Sequence, residues 1–217
     1  MIKGGEMKRG KEVIVLVLFC VLSAVFFLGC GGSGPGSPGS SGSADTGVET
    51  RVTAVTHSDP NNDQGDIWEI DLFMQQCTPT TVEVWGNDYA HVTFNGVSLN
   101  PNVVSTNELS ITNYTVTYVP TRPGLPPIEQ LSYANQAIRI VAGEDTVGTF
   151  LIMDTGRKIQ IQNDTGYPPG GGGTYPVFPP LLYNMELQMW GKDKYGNGFT
   201  VGPIEKEVDI SNWNHCQ

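Results

Sequence analysis

From residue 47 onward, apolar side chains recur at every second position rather than at helical spacing. GVETRVTAVT (47–56) sets Val48, Thr50 and Val52 against more polar neighbours. In IWEIDLFM (67–74), Trp68, Ile70, Leu72 and Met74 fall on one face and Glu69 and Asp71 on the other, the pattern of a half-buried strand. VEVW (82–85), HVTFNGVSL (91–99) and ITNYTVTYV (111–119) follow, rich in the β-branched and aromatic residues that suit a pleated sheet. Beyond the proline-rich bend TRPGLPP (121–127), the same period predicts strands at AIRIVAG (137–143), TVGTFLIM (146–153) and KIQIQ (158–162). YNMELQMW (183–190) alternates Tyr183, Met185, Leu187 and Met189 with Asn184, Glu186 and Gln188. DKYGNG (193–198) is turn chemistry, so FTVGPIEKEVDI is expected to return as the second strand of a hairpin. No stretch sustains a helical period, and Gly and Pro punctuate throughout. The expectation for residues 48–217 is one all-β domain, short strands folded into a sandwich.

The pattern before residue 47 is of a different kind. Lys3, Lys8, Arg9 and Lys11 outnumber Glu6 and Glu12, and Val13 to Leu28 (VIVLVLFCVLSAVFFL) then runs without a charge. A positive start, a short apolar segment and small residues at its end are the parts of a secretory signal. The apolar run falls slightly short of the roughly 18–20 residues needed to span a membrane as a helix, which leaves an uncleaved anchor as the other reading. Residues 31–47, GGSGPGSPGSSGSADTG, have nothing to bury. Such a tract behaves as a flexible coil with an r.m.s. span of roughly 20–25 Å, enough to hold a domain away from a surface.

Phe27-Leu28-Gly29-Cys30 joins these two segments and resembles the lipobox of bacterial lipoproteins. Gly29 and Cys30 match that pattern, while Phe27 and Leu28 stand where the family usually carries Leu and a smaller residue. The resemblance implies a signal peptide at 1–29, cleavage before Cys30 and lipidation of that cysteine, with residues 30–47 as lipidated Cys and tether. More than one acyl chain makes such an anchor stable. Gly31 follows in place of the Asp that signals inner-membrane retention in some of these proteins, so the resemblance favours the outer membrane.

Charge narrows the partners. The whole chain has 12 Lys/Arg and 22 Asp/Glu, and removing the four and two of residues 1–29 leaves eight and twenty, a net of −12. That balance argues against nucleic acid and against electrostatic docking on anionic lipid, both of which need basic patches. Two cysteines remain beyond Cys30. In an exported protein Cys77 and Cys216 are most simply one disulfide. Zinc held by Cys77, His215 and Cys216 is the competing reading.

Catalytic patterns are scarce. The three histidines are His57, His91 and His215, and the chain has no C-x-x-C-H, G-x-S-x-G, H-E-x-x-H or phosphate-cradling glycine loop. His57-Ser58-Asp59 holds the residue types of a triad, but sequence neighbours cannot make the relayed contacts a triad needs. An enzyme is not expected. Two stretches offer binding chemistry instead. Asp59, Asn61, Asp63 and Asp66 present oxygen ligands at spacings that suggest calcium, although Gly65 comes one residue late for an EF-hand and Ile70 stands in place of its last Glu. The same residues make any polar turn, and a turn is the expectation. In GYPPGGGGTYPVFPP (166–180), Tyr167, Tyr175 and Phe178 on a long loop would grip a polypeptide or glycan, or Phe178 and Tyr183 would tuck into the core.

ITNYTVTYVPT also resembles the third strand of fibronectin type III domains. Tyr183 is similar to the tyrosine-corner residue of immunoglobulin-like sandwiches. Asp193, Gly196 and Asn197 resemble the last hairpin of bacterial Ig-like domains. The resemblance covers roughly 88–210, with a lengthened middle section, and implies a fold and a location without a chemistry. The functional expectation is a lipid-anchored, non-catalytic binding or structural module of the bacterial cell envelope, its partner an envelope protein or glycan. An assembly factor acting by strand-edge pairing is the alternative, and a hydrolase with a concealed site a distant third.

Overall fold

A computed structural model describes residues 48–58, 66–73, 78, 80, 85–98, 108–166 and 179–211. Eight strands and one helix follow in the order β1 (Val48–His57), β2 (Ile67–Asp71), β3 (Asp88–Ser98), β4 (Glu108–Pro120), β5 (Leu131–Val141), β6 (Asp145–Met153), α1 (Thr155–Thr165), β7 (Leu181–Asp193) and β8 (Gly198–Ser211). The strands form two sheets, β1-β3-β6 and β2-β8-β7-β4-β5, all antiparallel except the β2–β8 pair. The all-β sandwich expected from the two-residue period is therefore the observed architecture.

The core lies between the sheets and is built from the predicted alternate positions. Tyr183, Met185, Leu187 and Met189 of β7 are fully buried, as are Ala90, Val92 and Phe94 of β3. Phe150 meets Phe94 edge-on at 6.2 Å and Tyr114 edge-on at 5.1 Å, joining the two sheets through aromatic contacts. Where β3 passes the β5–β6 corner, Gly96 is needed for space: a Cβ there would lie 2.6 Å from the Val141 carbonyl oxygen.

Two expectations are corrected. KIQIQ is helix, not strand: α1 runs over Thr155–Thr165. Asp154 caps its start by accepting a hydrogen bond from the Arg157 N–H at 2.9 Å. Gly166 ends it at φ 69, its N–H reaching the Gln162 and Asn163 carbonyls. The alternation misleads because the buried helical face is Lys158, Ile161 and Gln162, two of them polar, while Ile159 is 48 % exposed.

The second correction concerns IWEIDLFM. The strand stops at Asp71, and Glu69 and Asp71 are only 5 % and 6 % exposed. β2 is thus covered on both faces instead of half-buried, in keeping with its parallel pairing to β8. In VEVW only Trp85 is described, and it lies outside any strand. Tyr183 donates to the Pro126 carbonyl at 2.8 Å, tying β7 to the distant β4–β5 connection rather than to backbone a few residues upstream, as a tyrosine corner would. No helix among the described residues is long and apolar enough to cross a membrane.

Candidate functional site

Polar chemistry gathers at two places in this sandwich, one inside and one outside. The interior group is centred on Asp88, at the start of β3. Lys158 reaches from α1 to within 2.9 Å of Asp88 Oδ2, and its ammonium also lies 5.5 Å from the centre of the Trp85 ring. His57, at the end of β1, places Nε2 3.6 Å from Asp88 Oδ1 and stacks on Trp68 of β2 at 5.4 Å. Gln162, one turn along the helix from Lys158, donates to the Leu72 carbonyl just beyond β2. Two helical side chains therefore fasten α1 to both sheets.

Tyrosines complete the interior. Tyr118 donates to the Ile152 carbonyl at 2.8 Å. The Tyr114 hydroxyl takes both backbone groups of Leu151, donating to its carbonyl at 3.4 Å and accepting from its N–H at 3.1 Å. Both residues rise from β4, four apart and so on one face, and both reach across the core to β6. Burial pushes the Tyr114 hydroxyl up to about 12, and the backbone bond to Leu151 only partly offsets it. Burial raises Tyr118 well above the ordinary phenol range, and the nearby Asp88 charge adds to the effect. Both phenols stay protonated at any physiological pH and act as hydrogen-bonding struts. Arg157 does similar work at the helix start, bonding Asp154 and the carbonyls of Glu129 (3.1 Å) and Gln130 (3.2 Å).

The exterior group is the outer face of the five-stranded sheet. Residues directly opposite one another share a face. Around Trp190 this gives the row Ala134, Asn113, Trp190 and Thr200 across β5, β4, β7 and β8. The next row holds Ser132, Thr115 and Gln188. Further along the strands the face turns acidic: Glu186 stands opposite Glu205, Asn184 opposite Glu207, and Asp209 opposite both Leu182 and Glu69. Burial raises the Asp209 carboxyl; the Ser211 hydroxyl lowers it in part and Glu207 raises it further. On the other side of Trp190 lie Ser110, Lys192 and Arg139, the last paired with Glu108.

Most site residues expected from sequence lie outside the described residues: Cys30, Cys77, Cys216, Asp59, Asn61, Asp63, Tyr167, Tyr175 and Phe178. Asp66 is described, as an exposed turn residue just before β2. Among the described residues no three His, Cys, Asp or Glu side chains converge as a metal set. The register bears on the two cysteines, because parallel pairing sets Asp71 beside Ser211, and Cys77 and Cys216 follow these by six and five residues. Of the triad-like run His57-Ser58-Asp59, His57 turns to Asp88 and Trp68, and Ser58 accepts from the Tyr89 N–H at 3.2 Å. Sequence reasoning missed Asp88 and Lys158, since a lysine assigned to a strand cannot be matched with a carboxylate 70 positions away. It also passed over Trp190, whose setting depends on strand register. Comparison of the chain with protein-family models, with curated proteins and with solved structures returned no match.

Proposed function

We propose that this chain is a lipid-anchored, non-catalytic binding module of the bacterial cell envelope, carrying an immunoglobulin/fibronectin III-like sandwich on a glycine-serine tether. The observation that supports it is the use made of the interior ionisable groups. Lys158 is neutralised by Asp88, Tyr114 and Tyr118 are bonded to the β6 backbone, and Arg157 clamps a loop. A catalytic lysine or tyrosine needs access to substrate, and Lys158, Tyr114 and Tyr118 are all buried. These groups are placed to brace elements. Anchoring rests on Phe27-Leu28-Gly29-Cys30 following an uncharged apolar run.

Strand-edge pairing is the less favoured reading. The edge strand β1 carries an extra residue between Val52 and Ala54, and the edge strand β5 holds Asn135 at φ 62 within its own irregularity. Bulged edges discourage the addition of a further strand. At the β6 edge, Tyr114 already occupies both backbone groups of Leu151.

Growth of a bacterial host with labelled palmitate tests the anchor. The full-length chain should take up label and Cys30→Ala should not, accumulating instead as unprocessed precursor. Equal labelling of the variant would overturn the assignment.

A further inference from the structure

We propose that the Trp190 row on the outer face of the larger sheet is a binding platform for a neutral polysaccharide. The inference rests on the reading of the chain as a binding module and supplies the ligand class. Trp190 is 38 % exposed although it sits in β7, a central strand with partners on both sides. Its neighbours across the sheet are Asn113, Thr200 and Ala134, and the row on one side holds Gln188, Thr115 and Ser132, all uncharged. The row on the other side holds Ser110, Lys192 and Arg139, the last neutralised by Glu108. The two uncharged rows cross β4, β5 and β7, and the Trp190 row continues to β8, giving a width of roughly 14 Å at ordinary strand spacing.

An apolar ring ringed by amides and hydroxyls matches the surface of a sugar. The C–H face of a pyranose covers the indole, and its hydroxyls find donors and acceptors at the rim. Gln188 and Thr115 are half-buried, so their side chains are held near the sheet surface. Gln188 is further fixed by donating to the Val201 carbonyl at 3.1 Å, leaving its carbonyl oxygen to accept from a ligand. The sheet is irregular on three sides of Trp190. β4 shifts register between Ile111 and Asn113, β7 between Leu187 and Met189, and β5 carries the left-handed Asn135 beside Ala134. Such irregularities bend a sheet locally and re-aim side chains.

Charge selects among polymers. The same face carries the accessible carboxylates Glu186, Glu205 and Glu207 along β7 and β8. This block repels polyanions such as teichoic acid or nucleic acid, and the platform itself has no carboxylate to attract a basic peptide. An uncharged polyol is the ligand that complements the uncharged strip.

Affinity electrophoresis of the full-length chain in detergent tests the idea, in gels containing dextran, hydroxyethylcellulose, arabinoxylan or polyanionic carboxymethylcellulose. At least one neutral polymer should retard the chain, and carboxymethylcellulose should not. Trp190→Ala should weaken retardation about tenfold, the loss expected for a large apolar contact. Trp190→Phe, which keeps a ring and the fold, should fall between. Retardation by no neutral polymer, equal retardation of Trp190→Phe and Trp190→Ala with wild type, or stronger retardation by carboxymethylcellulose would each overturn the proposal. Release of reducing ends from the retarding polymer would sink the non-catalytic reading while supporting the platform. Absence of retardation would leave palmitate labelling at Cys30 unaffected, so the two proposals fail separately.

Discussion

Lys158 and Trp190 mark two regions of the same sandwich that treat awkward side chains in opposite ways. Lys158 is 2 % exposed, its charge met by Asp88 and its ammonium set over the Trp85 ring. Trp190 is 38 % exposed, with hydroxyls and amides on either side reaching toward water. A buried charge is tolerated only when paired, and removing one partner leaves the other stranded. A partly exposed tryptophan carries no such penalty, although the covered part of its ring still adds packing. The closed end is where replacement should cost folding most. On the open face, replacement should cost binding more than folding.

The largest effect on folding is expected where the chain closes on itself. Because β2 and β8 run parallel, the segments leaving Asp71 and Ser211 start side by side, and we expect Cys77 and Cys216 to form a disulfide. A closed loop this long contributes at most about 5 kcal/mol on a chain-entropy estimate. Reductant should lower the denaturation midpoint of the wild type and leave Cys77→Ser unaffected, and non-reducing peptide mapping should show one bridge. Equal midpoints with and without reductant would exclude it.

Next comes the interior pair. Lys158→Met keeps most of the side-chain volume but strands the Asp88 carboxylate, and should lower stability by about 3 kcal/mol in a denaturant melt. A loss under about 1 kcal/mol would show that water already reaches Asp88 well enough to make the partner unnecessary.

The β7–β8 turn gives a smaller effect with a pH signature. Burial would raise the Asp193 carboxyl, but hydrogen bonds outweigh it and hold the group below the ordinary carboxylate range: from the Asn197 side chain (2.9 Å), then the Asn197 and Tyr195 backbone N–H groups (2.8 Å each). A depressed carboxyl stabilises the fold above its unfolded pKa, near 4, and that contribution is lost as pH falls through the lower folded value. Asp193→Ala should therefore cost about 2 kcal/mol at neutral pH, where charge-assisted bonds are lost. The gap between variant and wild type should close on acidification through the carboxylate range. A gap independent of pH would assign the effect to the turn backbone and not to the charge.

How far these regions were legible in the sequence follows from how local their signals are. β4 and β7 could be read directly, because Tyr114, Val116 and Tyr118, or Tyr183 to Met189, alternate cleanly between core and surface. α1 could not, since its inward stripe of Lys158, Ile161 and Gln162 lacks the apolar period that marks a helix; only Asp154 and Gly166, a cap at each end, signalled it. The burial of Glu69 and Asp71 depends on a partner strand about 140 residues away. The Trp190 row assembles from four strands whose register includes bulges at Thr112 and near Met189. A bulge changes which residues share a face, and periodicity alone cannot place one.

If the buried polar groups are struts of the sandwich and not a reaction centre, Asp88 and Lys158 must stabilise the fold as a pair, and a double-mutant cycle on the two measures this. Groups kept for catalysis are commonly held at the expense of stability, so replacing them leaves a fold unharmed or firmer. Struts behave in the opposite sense. Asp88→Leu and Lys158→Met alone should each lower the unfolding free energy, and the double variant should recover most of the loss, with a coupling of about 2 kcal/mol or more between two contacting groups. Single variants as stable as wild type, with no coupling between them, would contradict the account and reopen Asp88, Lys158 and His57 as a catalytic group.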